Sequence, residues 1–298
     1  MTFETLLLLC ASTLRTSTPL IFAALGGLFS ERSGVINIAL EGFMIIGAFA
    51  AAVAAHFASG AEPAWAPTIG LVAAALAGAA LAALYAAIVI GARGDQIVSG
   101  TAINLLAAGI TPFLCKILFN VSGATPALGI ERRFTWAPMA LAWIALVLTQ
   151  LWLTRTSSGL WVRFAGEHPK ALSASGISVK RVRFTAVLMS GALAGLGGAS
   201  LSLMLSSSFA RNMTAGRGFM ALAALIFGKW KPIPTLCACL LFGFTDALQI
   251  QLQGVLLPGF QEPIPVQFIQ ILPYLATMGI LAGFVGKSRA PKALGQAF

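Results

Sequence analysis

Side chains able to do chemistry are sparse in this 298-residue chain, and none falls into a spacing that catalysis requires. There is no H-E-x-x-H and no G-x-S-x-G. The stretch GFVGKS from Gly283 to Ser288 resembles the end of a phosphate loop. Its first glycine would fall on Leu281, and it closes an apolar run instead of a strand, so it offers no ATP site. Cys237 and Cys239 are two residues apart and point opposite ways on a helix. With Cys10, Cys115, His56 and His168 they indicate neither a metal site nor a disulfide frame. Asp95 and Asp246 stand outside any motif of an aspartyl pair. No catalytic role, metal or cofactor follows from these residues. What remains is polar side chains within apolar stretches. Asn37 and Glu41, at i and i+4, share a face of a helix. Thr101, Asn104 and Thr111 form a stripe, as do Asp246, Gln249 and Gln253. Such groups either line a path for a polar solute or bond helices together at about 1 kcal/mol or less each. An unpaired carboxylate in hydrocarbon costs a few kcal/mol or more, so Glu41 is the hardest to assign to packing alone. The candidates for a polar path are Asn37, Glu41, Thr101, Asn104 and Asp246.

The elements that must position them are apolar throughout. Apolar residues make up 58% of the chain and charged ones 9%, against about 25% charged in soluble domains. Such a chain has too few polar residues to cover a water-facing surface, and its runs reach the length of membrane-crossing helices. An all-α, polytopic membrane protein follows, a single domain over 1–298. Nine passes are expected, at about 5–29, 34–57, 65–90, 96–119, 134–154, 184–206, 216–228, 232–251 and 267–286. The pass at 216–228 is short and reads as tilted, broken or re-entrant. The first four residues lack a basic leader, so 5–29 is expected to stay as a span. The net charge of +10 is scattered between apolar runs and not gathered on an aromatic-rich face, which argues against nucleic acid. Thirteen basic residues fall on the side of the 155–183 segment and four on the other. The positive-inside rule then places the N-terminus outside and the C-terminus inside. Gly191, Gly195 and Gly198 suit close helix packing, within the chain or across a dimer seam. Gly34–Gly47 and Gly216–Gly228 share a Gly-Phe-Met triplet, consistent with an internal repeat or with chance.

Arg155–Arg183 is the long polar segment. It holds six of the nineteen Lys and Arg residues and one acid, Glu167. Pro169 fits the first turn of a short helix, Glu167 suits its positive end, and Gly176 suits its stop. A helix of one or two turns is unstable alone, so this one is expected to dock on something.

GEHPKALSASGISVKRVRF, from Gly166 to Phe184, resembles the cytoplasmic loop of bacterial ABC importer permeases of the ribose and branched-chain amino acid class. SERSGVINIALEGFMIIGAF and TAGRGFMALAALIFGKW resemble the branch that imports nucleosides and simple sugars. His168 stands where that loop usually has Asn, and Ser173-Ala174-Ser175 replaces a more alanine-rich run. The resemblance implies a plasma-membrane permease that is not itself an enzyme. It implies an ABC ATPase partner that binds the ATP, a second permease subunit and a solute-binding protein. It assigns coupling to Gly166, Glu167, His168, Pro169, Ala171 and Gly176. The alternative is an ion-coupled secondary transporter with Glu41 or Asp246 carrying the ion.

Overall fold

A computed structural model describes residues 3–60, 63–129, 133–252, 271, 275, 279 and 289–296. Helices dominate: α1 (Phe3–Arg32), α2 (Leu40–Ala58), α3 (Ala66–Ala86), α4 (Gln96–Phe119), α5 (Ala137–Arg155), α6 (Ser157–Glu167), α7 (Pro169–Ala174), α8 (Val179–Ser200), α9 (Arg217–Phe227) and α10 (Pro232–Leu252). α3 and α8 each continue through a wider π-type turn, Ala87–Gly91 and Leu201–Leu205. Among the described residues, seven helices are long and apolar enough to cross a membrane: α1 to α5, α8 and α10. The expected pass at 267–286 lies almost wholly outside the described residues. α9 has 11 residues and is about 16 Å long, half of a hydrocarbon core of about 30 Å. It does not cross alone.

Two boundaries move for physical reasons. The second span starts at Leu40 and not at residue 34, because Gly34 has a φ of +97° and ends α1 in a left-handed turn. The sixth starts at Val179, where the Ser178 hydroxyl accepts from the Arg181 N–H and caps the helix.

α8 is the axis of the packing. A Cβ at Gly191 or Gly195 would strike the backbone of α3, one at Gly198 the Met44 carbonyl of α2, and one at Gly197 the Pro19 carbonyl of α1. These glycines therefore serve packing within the chain. α3 answers with Gly70, Ala74, Gly78 and Ala82, one buried residue per turn. α1 and α10 are joined by the Thr16 hydroxyl, which donates to the Gly243 carbonyl at 2.8 Å. α4 and α5 turn apolar faces outward, with Leu105 75% and Leu148 59% exposed. Those faces suit lipid, where they would be a liability in water.

At one end, residues 123–129 and Phe134 lie against 203–211, with Thr125, Leu128 and Phe134 donating backbone N–H bonds to the Phe209, Ser207 and Leu203 carbonyls. At the other end sit α6, α7 and the tail segment 289–296.

Gly198→Val should lower the melting temperature of the detergent-purified protein, with an overpacking cost of about 1–3 kcal/mol. Gly91, where an added methyl would meet nothing within 4 Å, should accept alanine with little change.

Candidate functional site

Residues 33–39 connect α1 to α2 without helix, and their backbone groups need partners that a helix would have supplied. Other helices provide them. The Gln96 side chain accepts from the Ile36 N–H at 2.7 Å, and the Tyr85 hydroxyl donates to the Ile36 carbonyl at 2.6 Å. Asn104 does both jobs. Its Nδ2 donates to the Ile38 carbonyl at 2.9 Å, and its Oδ1 accepts from the Gly42 N–H at 2.7 Å, capping the first turn of α2. Asn37 is fully buried and donates to the Ser190 hydroxyl of α8 at 2.7 Å, while its Oδ1 has no protein partner.

Asn37 precedes α2, so the helical i, i+4 relation to Glu41 does not hold. The two side chains serve different elements, α8 and α9. The glycine turn at Gly34 produces this difference, and a periodicity reading has no means of placing such a break.

Glu41 lies in the first turn of α2 and is 6% exposed. Its carboxylate accepts from the Thr214 hydroxyl (2.5 Å), the Gly216 N–H (2.9 Å) and the Gly218 N–H (2.6 Å). These donors form the start of α9, so Glu41 supplies in trans the cap that this helix lacks in its own sequence. A Cβ on Gly218 would sit 2.5 Å from the Glu41 nitrogen. The beginnings of α2 and α9 thus touch, and their positive dipole ends meet at the carboxylate. The Gly42 and Gly218 N–H groups, at matching places in the two triplets, are each capped by a side chain from another helix. The shared Gly-Phe-Met triplet therefore has a structural counterpart.

Beside this junction, Arg217 Nη2 stands 3.7 Å from Asp246 Oδ2. The charge count puts Arg217 on the outer side. It lies at the start of α9 with a quarter of its side chain exposed and pairs with α10. Asp95 caps α4 through the Ile97 and Val98 N–H groups, so the two aspartates have separate partners. Thr101 is exposed and bonds only its own helix, whereas Thr111 is buried. The stripe on α4 therefore meets more than one environment.

The far end of α9 is held as firmly. Lys229 and Trp230 adopt left-handed backbones, with φ of 52° and 53°. The Trp230 indole donates to the buried Glu31 carboxylate at 2.5 Å, and Arg32 Nε donates to the Trp230 carbonyl at 2.8 Å. Arg183, 3% exposed, donates to three carbonyls: Ser33 (3.1 Å), Ala165 (3.3 Å) and Gln296 (2.6 Å). It joins the α1 turn, α6 and the tail. Sequence reading misses Glu31, Tyr85, Gln96, Arg183, Ser190 and Trp230. For Tyr85, Gln96 and Ser190 the available signal is polarity inside an apolar run, and for Tyr85 also its being one of two tyrosines; Glu31, Arg183 and Trp230 lie between the runs, where polar residues are ordinary.

The short helix at Pro169 exists, with the Ser175 N–H bonded to Ala171 and Gly176 at φ +83° ending it. Leu172 is buried against Val162, Ala165, Val179 and Val182. Lys170, Ala171, Ser173, Ala174, Ser175 and Gly176 are exposed, as is His168, which starts the helix without a side-chain cap. Glu167 departs from expectation. It ends α6, a helix hidden within the polar segment, and stands 3.8 Å from Arg32 instead of serving the dipole of α7. Gly166 has no room for a side chain, since a Cβ would meet the Arg32 carbonyl; its own carbonyl accepts from the Ala293 N–H.

Glu41→Ala should destabilise the detergent-purified protein by about 1–3 kcal/mol, because it orphans the buried Gly218 N–H, the part-buried Gly216 N–H and the buried Thr214 hydroxyl. Thr101→Ala should stay within about 0.5 kcal/mol. Thermal melting monitored by tryptophan fluorescence checks both.

Comparison with known proteins agrees with this architecture. The guanosine ABC transporter permease protein NupQ of Bacillus subtilis is 41% identical over 98% of this chain and 96% of its own. The nucleoside ABC transporter permease protein NupC of Lactococcus lactis is 39% identical over the same shares. A solved ABC transporter chain in an inward-facing conformation is 16% identical and superposes with a TM-score of 0.50 over 93% of this chain and 85% of that one, a likeness of fold alone. The model of the family described as branched-chain amino acid transport system / permease component matches residues 9–281, and the chain belongs to that family.

Proposed function

We propose that this permease carries nucleosides through the plasma membrane as one subunit of an ATP-driven importer. In this reading an ATPase grips the 166–176 segment, a second permease subunit completes the path, and a solute-binding protein delivers the nucleoside from outside. The substrate class rests on the likeness to guanosine and nucleoside permeases along almost the whole chain. The chain runs with its N-terminus outside and its C-terminus inside on the strength of the positive-inside count, which requires α9 to complete an eighth pass together with the non-helical stretch before it and 267–286 to supply the ninth.

The observation that carries the mechanism is that α9 is bonded at both ends. Motion of α7 passes through its apolar contact with α6 and α8 to Glu167 and Gly166, which adjoin Arg32. Arg32 and Glu31 hold Trp230 at one end of α9, and Glu41 holds the other. A rigid helix about 16 Å long then transmits displacement from the ATPase side to the junction of α2 and α9. Asn37, Glu41, Asn104 and Asp246 surround that junction. Asn37 Oδ1 is a buried acceptor free for a hydroxyl or amine of the solute. Glu41 works in this scheme mainly by fixing α9, and Thr101 faces outward towards lipid or the second subunit.

Reconstituted with its partner subunits in vesicles, the wild-type chain should take up nucleoside only when ATP is supplied to the ATPase side. Uptake that persists without ATP and collapses with the proton gradient would establish ion coupling instead. Trp230→Phe and Gly176→Pro should each lower uptake per ATP hydrolysed by about tenfold, a loss of about 1.4 kcal/mol of coupling, with membrane insertion unchanged. A cysteine at Ser173 should react with an impermeant thiol reagent in inverted vesicles and not in intact cells. Labelling in intact cells would refute the orientation.

A further inference from the structure

Away from the α2–α9 junction, a cavity of about 270 Å³ opens where α1, α5, α6 and the α9–α10 turn converge. We propose that it binds the phosphate headgroup of an anionic phospholipid. Three cations from three separate stretches line it: Arg32, Arg163 and Lys231. Gln150 and Thr154 add hydrogen-bonding groups, and Pro232, Ile233 and Pro234 bring the first turn of α10 to the wall. α10 is 21 residues long and has no acid in its first turn. Its positive end is thus met by Lys231, the reverse of the usual complement. The two prolines have no N–H, and the Thr235 N–H is already bonded to the Lys231 carbonyl, which leaves the Ile233 N–H to face an anion.

The protein's own acids do not balance this charge. Glu167 reaches Arg32 at 3.8 Å with 37% of its side chain exposed. Among the described residues no carboxylate pairs with Arg163 or Lys231. Arg163 spends one nitrogen on the Leu153 carbonyl at 3.4 Å.

The choice of a lipid over a free phosphate rests on position and on the apolar wall. The cavity lies where α1 and α5 end and α10 begins, at one end of their membrane-crossing lengths. That is the level of headgroups. Leu153 forms part of the wall, while Ile233, 56% exposed, and Leu151, 49% exposed, offer an acyl chain a track along the outside. Basic pockets between membrane helices recognise acidic headgroups by this combination of charge and apolar surface.

The full chain, purified in detergent and incubated with either phosphatidylglycerol or phosphatidylcholine, can be examined by native mass spectrometry. The wild type should retain phosphatidylglycerol in preference. Arg163→Gln/Lys231→Gln should lose about tenfold or more of that retention, while Arg93→Gln, a cation at the same end outside the cavity, should lose none. Equal retention of the two lipids by the wild type would overturn the proposal without recourse to variants. So would undiminished retention in the double variant. Displacement of the lipid by millimolar inorganic phosphate would assign the cavity to a free anion and overturn the lipid.

Discussion

Every break in a helix within this apolar bundle exposes backbone groups that lipid cannot satisfy. The structure depends on meeting that demand from neighbouring helices. Between α1 and α2, Tyr85, Gln96 and Asn104 supply the partners. At the start of α9, Glu41 supplies them. A carboxylate accepting three hydrogen bonds at two touching helix starts is stabilised there by hydrogen bonds and dipoles together. Polar residues that a hydropathy reading treats as costs are the means by which irregular backbone is tolerated.

Close approach of helices makes those bonds reachable. The glycines of α8 let α1, α2 and α3 come within backbone contact, and any side chain there would move the helices apart. Asn37 meets Ser190 across this tight interface. Packing and polar satisfaction are therefore one problem: a shift of one helix by a side-chain thickness would break the hydrogen bonds that justify the buried polar groups.

The two ends of α9 tie a polar centre in the bundle to a second one beneath it, where Glu31, Arg32, Trp230 and Arg183 bind the α1 turn, α6 and the tail. Arg183 has no carboxylate partner among the described residues and spends its guanidinium on three carbonyls. Its planar fork suits that role, which a lysine could not copy.

Composition alone determined that the chain is all-α and crosses a membrane, because 58% apolar residues in long runs leave no other solution. The short helix at Pro169 was legible too, since proline and glycine act on their own residues' backbone. The membership of the family was carried by local strings of residues. Tertiary structure decided the partners of the polar side chains. Asn37 and Glu41 diverge because Gly34 turns the chain, Glu167 answers Arg32 because it ends α6, and Arg217 pairs with Asp246 of α10 because α9 is a half-length helix starting beside it. Periodicity reports which way a residue faces on its own helix. It carries no information on which distant backbone lacks a partner, and those unmet hydrogen bonds selected the contacts of Glu41, Asn104 and Trp230.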